Sequence, residues 1–272
     1  MSEVSYKQNE KEFRYFFESN NSLFENYANN YEGDFEDYRI LRCEYMKDPW
    51  SNLVIFNNDL DEIKINKLKE ILKSENLTPS FYGPTESQTI ELLEQMGAKP
   101  NYQIIWMKKD LKIVASGEKK TSDRLKIVEI DSPNNSDYLK VFVSAYMEND
   151  GIGFKLDDTY LKPYEKHRSQ PRFQEIILVA YVDEVPVCIS SLGIDNEKTE
   201  ISVLHSVGTS NDHRENGYAR ELMSQCISIA RSRGISTMYL GTIYNSPMQS
   251  FYESLGFESF FRSTQMVFDD KK

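Results

Sequence analysis

A chain of 272 residues exceeds the roughly 100 to 150 residues of an ordinary domain, so two domains, each with its own core, are expected. Hydrophobic residues make up 39% and charged residues 28%, the composition of a soluble globular protein, and no apolar run approaches the ~20 residues of a membrane-spanning helix. The net charge of -11 argues against a protein built to neutralise nucleic-acid phosphates.

The polar N-terminus, Met1 to Tyr6, has no apolar signal core, which makes a cytoplasmic location the expectation. Phe13, Phe16, Phe17, Phe24 and Tyr27 recur at roughly helical spacing and predict a first helix with an aromatic core face. Tyr38 to Tyr45 and Leu53 to Phe56 read as strands separated by the turn-rich Asp48-Pro49-Trp50-Ser51-Asn52. Leu60, Ile63, Leu68, Ile71 and Leu72 place a helix between about Asp59 and Glu75. Pro79 to Tyr82 reads as a short strand and Thr85-Glu86-Ser87-Gln88 as a capping box opening a helix that reaches Met96. Tyr102 to Lys108 closes this half as a strand.

The apolar pattern then fades into a polar stretch from Ser116 to Asp123, which sets the domains at 1–110 and 124–272 with a linker at 111–123. Leu125 to Ile130 reads as a strand, Asp137 to Tyr146 and Asp157 to His167 as helices around Gly151-Ile152-Gly153. Ile176 to Tyr181 and Val187 to Leu192 form a hairpin through Val182 to Pro186. Ile201, Val203, His205 and Val207 alternate as on a half-buried strand; Ala219, Leu222, Met223, Cys226, Ile227 and Ala230 follow at amphipathic-helix spacing. Gly234 closes that helix, with Arg231 and Arg233 suiting its C-terminal dipole. Thr237 to Thr242, Met248 to Leu255 and Phe260 to Phe268 then read as strand, helix and strand. Cys43, Cys188 and Cys226 are scattered and read as reduced structural thiols; His167, His205 and His213 form no spaced ligand cluster, so no metal is expected.

Between the strand and helix around residue 210 lies a polar, glycine-bearing turn. A helix entered this way presents unpaired backbone N–H groups and a partial positive charge, the ingredients of a phosphate site. The spacing Arg214-x-x-Gly217-x-Ala219 resembles the pyrophosphate-binding motif of the GNAT superfamily of acyl-CoA N-acyltransferases, written Q/R-x-x-G-x-G/A. Asn245 to Phe257 is similar to the family's N-x-x-A-x-x-x-Y-x-x-x-G-F segment, with Met248 in place of the usual Ala, a change expected to affect packing. The order strand, two helices, three strands, helix, strand, helix, strand from Leu125 is that of the GNAT fold, so the resemblance covers about the last 150 residues.

The resemblance implies acetyl-CoA as donor and a primary amine, on a small molecule or peptide, as acceptor. It places the backbone of Val207 and Thr209 along the pantetheine arm and Arg214, Glu215, Asn216, Gly217, Tyr218, Ala219 and Arg220 around the pyrophosphate. Asn245 would bridge the strand end to the cofactor or the following helix. Tyr252 matches the tyrosine that protonates the departing thiolate, and Phe251 beside it is the better core residue. A base that receives the amine proton is not fixed by the resemblance: Glu200 is the named choice, beside His205, which reads more readily as a core residue, and the loop carboxylates Glu148 and Asp150.

Glu94 to Lys99 echoes Glu253 to Glu258, each closing a helix and leading into a strand. Leu93 then stands opposite Tyr252, and Asn57-Asn58-Asp59 offers an anion where a pyrophosphate would need donors. The expected fold is α/β (α+β) with two GNAT-like domains, each a mixed, mostly antiparallel sheet flanked by helices, the N-terminal one degenerate and without a cofactor site. The expected protein is a monomer or homodimer with no nucleic-acid or membrane partner. The competing expectation is a non-catalytic acyl-CoA-binding or scaffold protein that keeps the turn and has lost transfer.

Overall fold

The computed structural model describes residues 29–32, 37–43, 47–113, 125–146, 173–196, 198 and 200–268. The predicted first helix over Phe13 to Tyr27, linker residues 114–123, Met147 to Asp150 with Glu148, and the helix from Asp157 to His167 lie outside the described residues.

In chain order the elements are β1 (Asn29–Glu32), β2 (Tyr38–Cys43), β3 (Leu53–Phe56), α1 (Glu62–Ser74), β4 (Ser80–Pro84), α2 (Gln88–Gln95) and β5 (Lys99–Asp110). Then come β6 (Lys126–Ile130), α3 (Ser136–Tyr146), β7 (Phe173–Val182), β8 (Val185–Asp195), β9 (Ile201–Thr209), α4 (Tyr218–Ser232), β10 (Thr237–Ile243), α5 (Pro247–Ser254) and β11 (Glu258–Val267). Two compact units result, one of Met1–Met107, Gly241–Ser254 and Glu258–Lys272, the other of Lys108–Leu240 and Leu255–Phe257.

The first unit orders its strands β1-β2-β3-β4-β11-β5. β3 and β4 are parallel, which requires a crossover, and α1 supplies it. Asp61 caps α1 by accepting the Lys64 amide at 2.7 Å. Ile65, Leu68 and Leu72 of α1 and Leu93 of α2 pack with Phe56, Phe81, Met266 and Phe268 in one core. Burying each large side chain of this kind contributes about 1.5–3 kcal/mol. β11 lies antiparallel to β4, pairing Gln265 with Tyr82 and Met266 with Phe81.

One sequence expectation shifts here. The cap of α2 is Ser87, whose Oγ accepts from the Ile90 amide, while Thr85 hydrogen-bonds Thr264 at 2.8 Å. The capping box therefore gives way to a cap two residues later. β1 has the sequence Asn-Asn-Tyr-Glu, without β-branched residues, and its strand conformation comes from antiparallel pairing with β2.

The second unit orders its strands β6-β7-β8-β9-β10, with β9 and β10 parallel and the other neighbours antiparallel. The β7–β8 hairpin turns on Asp183 and Glu184, both left-handed at φ 50° and 64°, as a two-residue turn matched to strand twist requires. On one face α3 packs Tyr138 and Val141 over Ile177, Val179 and Ile189. On the opposite face Cys226 of α4 reaches Ser190 at 3.5 Å. Arg231 donates to the carbonyls of Leu111 and Ile113 at 2.9 and 3.1 Å, so its charge fastens the segment after β5 as well as sitting in the last turn of α4.

β9 carries the one irregularity that matters most for function. Ile189 pairs with Gly208 and Ser191 with His205, so two steps along β8 match three along β9. The extra residue falls at Ser206 and Val207, and Ser206 is left-handed at φ 53°. A bulge of this kind kinks the strand and leaves the extra residue outside the ladder.

Candidate acyl-CoA site

The turn between β9 and α4 is built from backbone conformation. A single turn of 3₁₀ helix at Asn211–His213 leads into an extended Arg214, then a left-handed Glu215 at φ 64° and Gly217 at φ 83°. Gly217 is the N-cap of α4 and brings no side chain to cap its amides. The first-turn amides of a helix have no intrahelical acceptor, and the helix dipole adds about half a positive charge there. A Cβ on Gly217 would meet nothing within 4 Å, so glycine is required by the backbone angle and the approach to the helix end is open. Asn216 braces the turn by donating Nδ2 to the carbonyls of His213 and Arg214 at 3.2 and 3.0 Å.

Arg214 spends its side chain on the protein. Its Nη2 donates to the Ala145 carbonyl at 2.9 Å, at the C-terminal end of α3, where a cation is favoured by the helix dipole. Its Nε lies 3.4 Å from the Thr209 carbonyl. Three further ties join α3 to the same stretch: the Asn211 amide donates to Ser144 Oγ at 3.0 Å, Tyr146 donates to the Val207 carbonyl at 2.6 Å, and Gly208 lies against Ala145 and Tyr146. Val207, Thr209, Arg214 to Ala219 and Arg220 are thereby brought together as one rigid strand-turn-helix.

Glu200 is not brought to this turn. It is exposed at the opposite end of β9, its carbonyl accepting the amides of Ser236 and Thr237 at 2.9 and 3.1 Å. Seven residues of extended chain at ~3.3 Å each put it roughly 23 Å from Val207. Glu200 shares the strand with the turn and not the end of it.

A polar cluster that the sequence reading left unassembled lies under α3. Glu175 of β7, Ser191 of β8 and His205 of β9 share a face, since Ile177 pairs with Ser191 and Ser191 with His205. His205 Nε2 is 2.9 Å from Glu175 Oε1 and Nδ1 is 3.2 Å from Ser206 Oγ. Tyr138 of α3 hydrogen-bonds Ser206 and Ser191, and its burial raises the phenol above its usual pKa. The signal in the sequence was a lone carboxylate directly before the apolar run Ile176 to Ala180, two residues from the inward Ile177.

Within the first unit, Asn245 is left-handed at φ 57° and its amide donates to Gln249 Oε1 at 2.9 Å, while Gln249 Nε2 donates to Glu253 at 2.9 Å. Tyr252 is 5% exposed and packs edge-on against a half-buried Phe251 at 5.2 Å. Burial is thus the reverse of what was expected for this pair. Met248, expected to alter packing, is 39% exposed. Among the described residues no group of three or more His, Cys, Asp or Glu is placed to hold a metal, and no helix is long and apolar enough to cross a membrane.

The acetyltransferase (GNAT) family model matches residues 142–257. No curated protein matches the sequence. Among solved structures, a functionally unknown conserved protein from Staphylococcus epidermidis is similar with a TM-score of 0.63 at 16% identity, over 88% of this chain and 94% of its own. A GCN5-related N-acetyltransferase from Kribbella flavida gives 0.65 at 12% identity, over 93% and 95%. A tandem GNAT protein from the clavulanic acid biosynthesis pathway gives 0.62 at 12% identity, over 85% and 78%. At these identities the likeness is one of fold.

Proposed function

We propose, from the match of residues 142–257 to the acetyltransferase (GNAT) family model, that the chain transfers an acetyl group from acetyl-CoA to a primary amine on a small molecule or peptide. The observation that carries this reading is the start of α4: a left-handed Gly217, no side-chain cap, and open space where a Cβ would stand. That is an environment for an anion held by backbone amides, and it fits a coenzyme A pyrophosphate. Backbone amides from Glu215 to Arg220 hold it, and Arg214, whose own amide donates to the Asn211 carbonyl, keeps the turn against α3 with its side chain.

The bulge at Ser206 and Val207 supplies the second element. Residues outside the β8–β9 ladder have backbone groups free of that pairing, and an amide there, with Thr209, is suited to the pantetheine arm and the acyl carbonyl. Bound acetyl-CoA supplies the activated acyl group, a thioester. The protein's own contribution is position and polarity: a fixed donor, a polarised carbonyl and a proton for the leaving sulfur. Tyr252, by its place in the Asn245 to Phe257 segment, is the proposed proton donor, with Asn245 holding the start of that segment.

Titration calorimetry with coenzyme A, followed by an acetyl-CoA-dependent thiol-release screen across amines, peptides and aminoglycosides, tests the reading. Micromolar binding and turnover with one acceptor class are expected. Binding without turnover on any class overturns transfer in favour of an acyl-CoA-binding protein; absence of binding overturns the cradle itself.

A further inference from the structure

We propose that His205, oriented by Glu175, receives the proton of the attacking amine at Nδ1 through the Ser206 hydroxyl, an inference that rests on the acyl transfer proposed above. Glu175 is 5% exposed on its side chain, in a strand where Ile176, Ile177, Leu178 and Val179 are all buried. Burying a carboxylate is costly unless it is paired, and an apolar residue would serve packing better. Its oxygen lies 2.9 Å from His205 Nε2, a buried nitrogen whose contact with that carboxylate is an ion-pair distance without hydrogen-bond alignment.

The consequence is a choice of tautomer. A carboxylate beside Nε2 favours the proton on Nε2, which leaves the lone pair on Nδ1. Nδ1 faces Ser206 Oγ at 3.2 Å, and Ser206 is the left-handed residue of the bulge. The His205 side chain is 25% exposed, so part of it meets solvent. Tyr138, kept protonated by burial, hydrogen-bonds Ser206 and so holds the hydroxyl in place. Among the described residues, the titratable groups facing the ring are Glu175 from β7 and Tyr138 from α3; β8 brings Ser191, with Asp195 four residues farther along the strand.

The step balances as follows. The nitrogen lone pair of a neutral amine forms the C–N bond at the thioester carbonyl, and one N–H proton passes to Ser206 Oγ as the Ser206 proton passes to Nδ1. The imidazolium is stabilised by the Glu175 carboxylate. Collapse breaks the C–S bond with its electron pair on sulfur, the thiolate takes up one proton, and His205 returns one to solvent. The sum is amine plus thioester giving amide plus thiol.

Two measurements test this. In the free full-length protein, ¹⁵N–¹H spectra of the histidine rings should show His205 protonated at Nε2 and bare at Nδ1; the opposite tautomer overturns the proposal without any substrate. With an acceptor that the wild type acetylates, His205→Gln should lower kcat about 10²–10⁴-fold near pH 7 while coenzyme A affinity stays within about twofold. That deficit should narrow as pH rises and solvent takes over proton removal. A wild-type kcat, or a deficit that is the same at every pH, overturns the dyad. Should His205→Gln also lose coenzyme A affinity, Glu175→Gln carries the test: kcat should fall about tenfold with KM unchanged, and a wild-type kcat overturns it. A wild type that acetylates nothing removes the reaction, whereas an active wild type with equally active variants removes the dyad alone.

Discussion

Arg214 Nη2 donates to the carbonyl of Ala145 at 2.9 Å, which fastens the turn before α4 to the end of α3. In the proposed site the guanidinium would act on coenzyme A at one remove, by fixing the amides of the turn. Arg214→Ala should weaken coenzyme A binding about tenfold, the scale of a charge-assisted hydrogen bond of ~1.5–3 kcal/mol lost from a turn. Arg214→Lys should recover part of that, since an ammonium can reach one carbonyl and not two. Calorimetry on both variants checks it; equal, wild-type affinity would show that the turn holds its shape unaided.

Gly217 separates strain from charge. At φ 83°, an alanine costs about 1–2 kcal/mol in backbone conformation while meeting no atom within 4 Å. Gly217→Ala should lower thermal stability by a few degrees and keep measurable binding. Gly217→Asp adds an anion at the positive end of α4 and should abolish binding beyond its effect on stability. Thermal melts alongside calorimetry distinguish the two.

Much of this site was legible in the sequence because backbone motifs carry their own markers. Gly217 marked a polar turn, the alternation of Ile201 to Val207 a strand, and the apolar spacing of Ala219 to Ala230 the helix behind it. The predicted hairpin follows for the same reason, from Asp183 and Glu184 between apolar runs. What the sequence hid depends on pairing between distant strands. Glu175 and His205 stand thirty residues apart and meet only because β8 lies between them in register. The bulge that brings Gly208 and His205 to one face has no local signature in Leu-His-Ser-Val-Gly. Ser87 replaced Thr85 as a cap because Thr85 pairs with Thr264, a contact 179 residues away.

Gly208 is a position where contact geometry outweighs chain entropy. Replacing glycine with alanine on a strand stabilises by ~0.4–1 kcal/mol through the unfolded state. Here the new Cβ would stand 2.9 Å from the Ala145 Cβ and 3.0 Å from Tyr146 Cε2, neither of which is the end of a long flexible chain. Overpacking of that kind costs about 1–3 kcal/mol and should win. Gly208→Ala is expected to melt several degrees lower and to loosen coenzyme A binding, because α3 and the bulge move apart. A variant as stable as the wild type would place α3 less tightly on β9.

Thiol chemistry bears directly on how the reaction is followed. All three cysteines are buried and free. Burial pushes the Cys188 thiol up to about 11 and the Cys226 thiol up to about 12, with hydrogen bonds to Thr209 and Ser190 offsetting only part. A thiol with a raised pKa stays protonated at pH 8, and the protonated form is the unreactive one. Native protein should therefore give almost no reaction with an aromatic disulfide reagent on the timescale of an assay, and all three cysteines should react once guanidinium unfolds it. Rapid labelling of the native protein, mapped to Cys188 or Cys226, would mean that β8 or α4 opens locally.

Tyr252→Phe isolates the leaving-group proton. The ring is buried, and phenylalanine fills the same volume, so stability and coenzyme A affinity should stay near wild type. Without the hydroxyl the thiolate leaves unprotonated or takes its proton from water, and turnover should fall about 10- to 100-fold. The choice of acyl donor sharpens the result. If sulfur departure limits the rate, replacing acetyl-CoA by an acetyl thioester of a more acidic thiol should restore the variant more than the wild type, because a better leaving group needs less proton assistance. Equal gains for both proteins would assign Tyr252 to packing beside Phe251 and leave thiolate protonation to solvent.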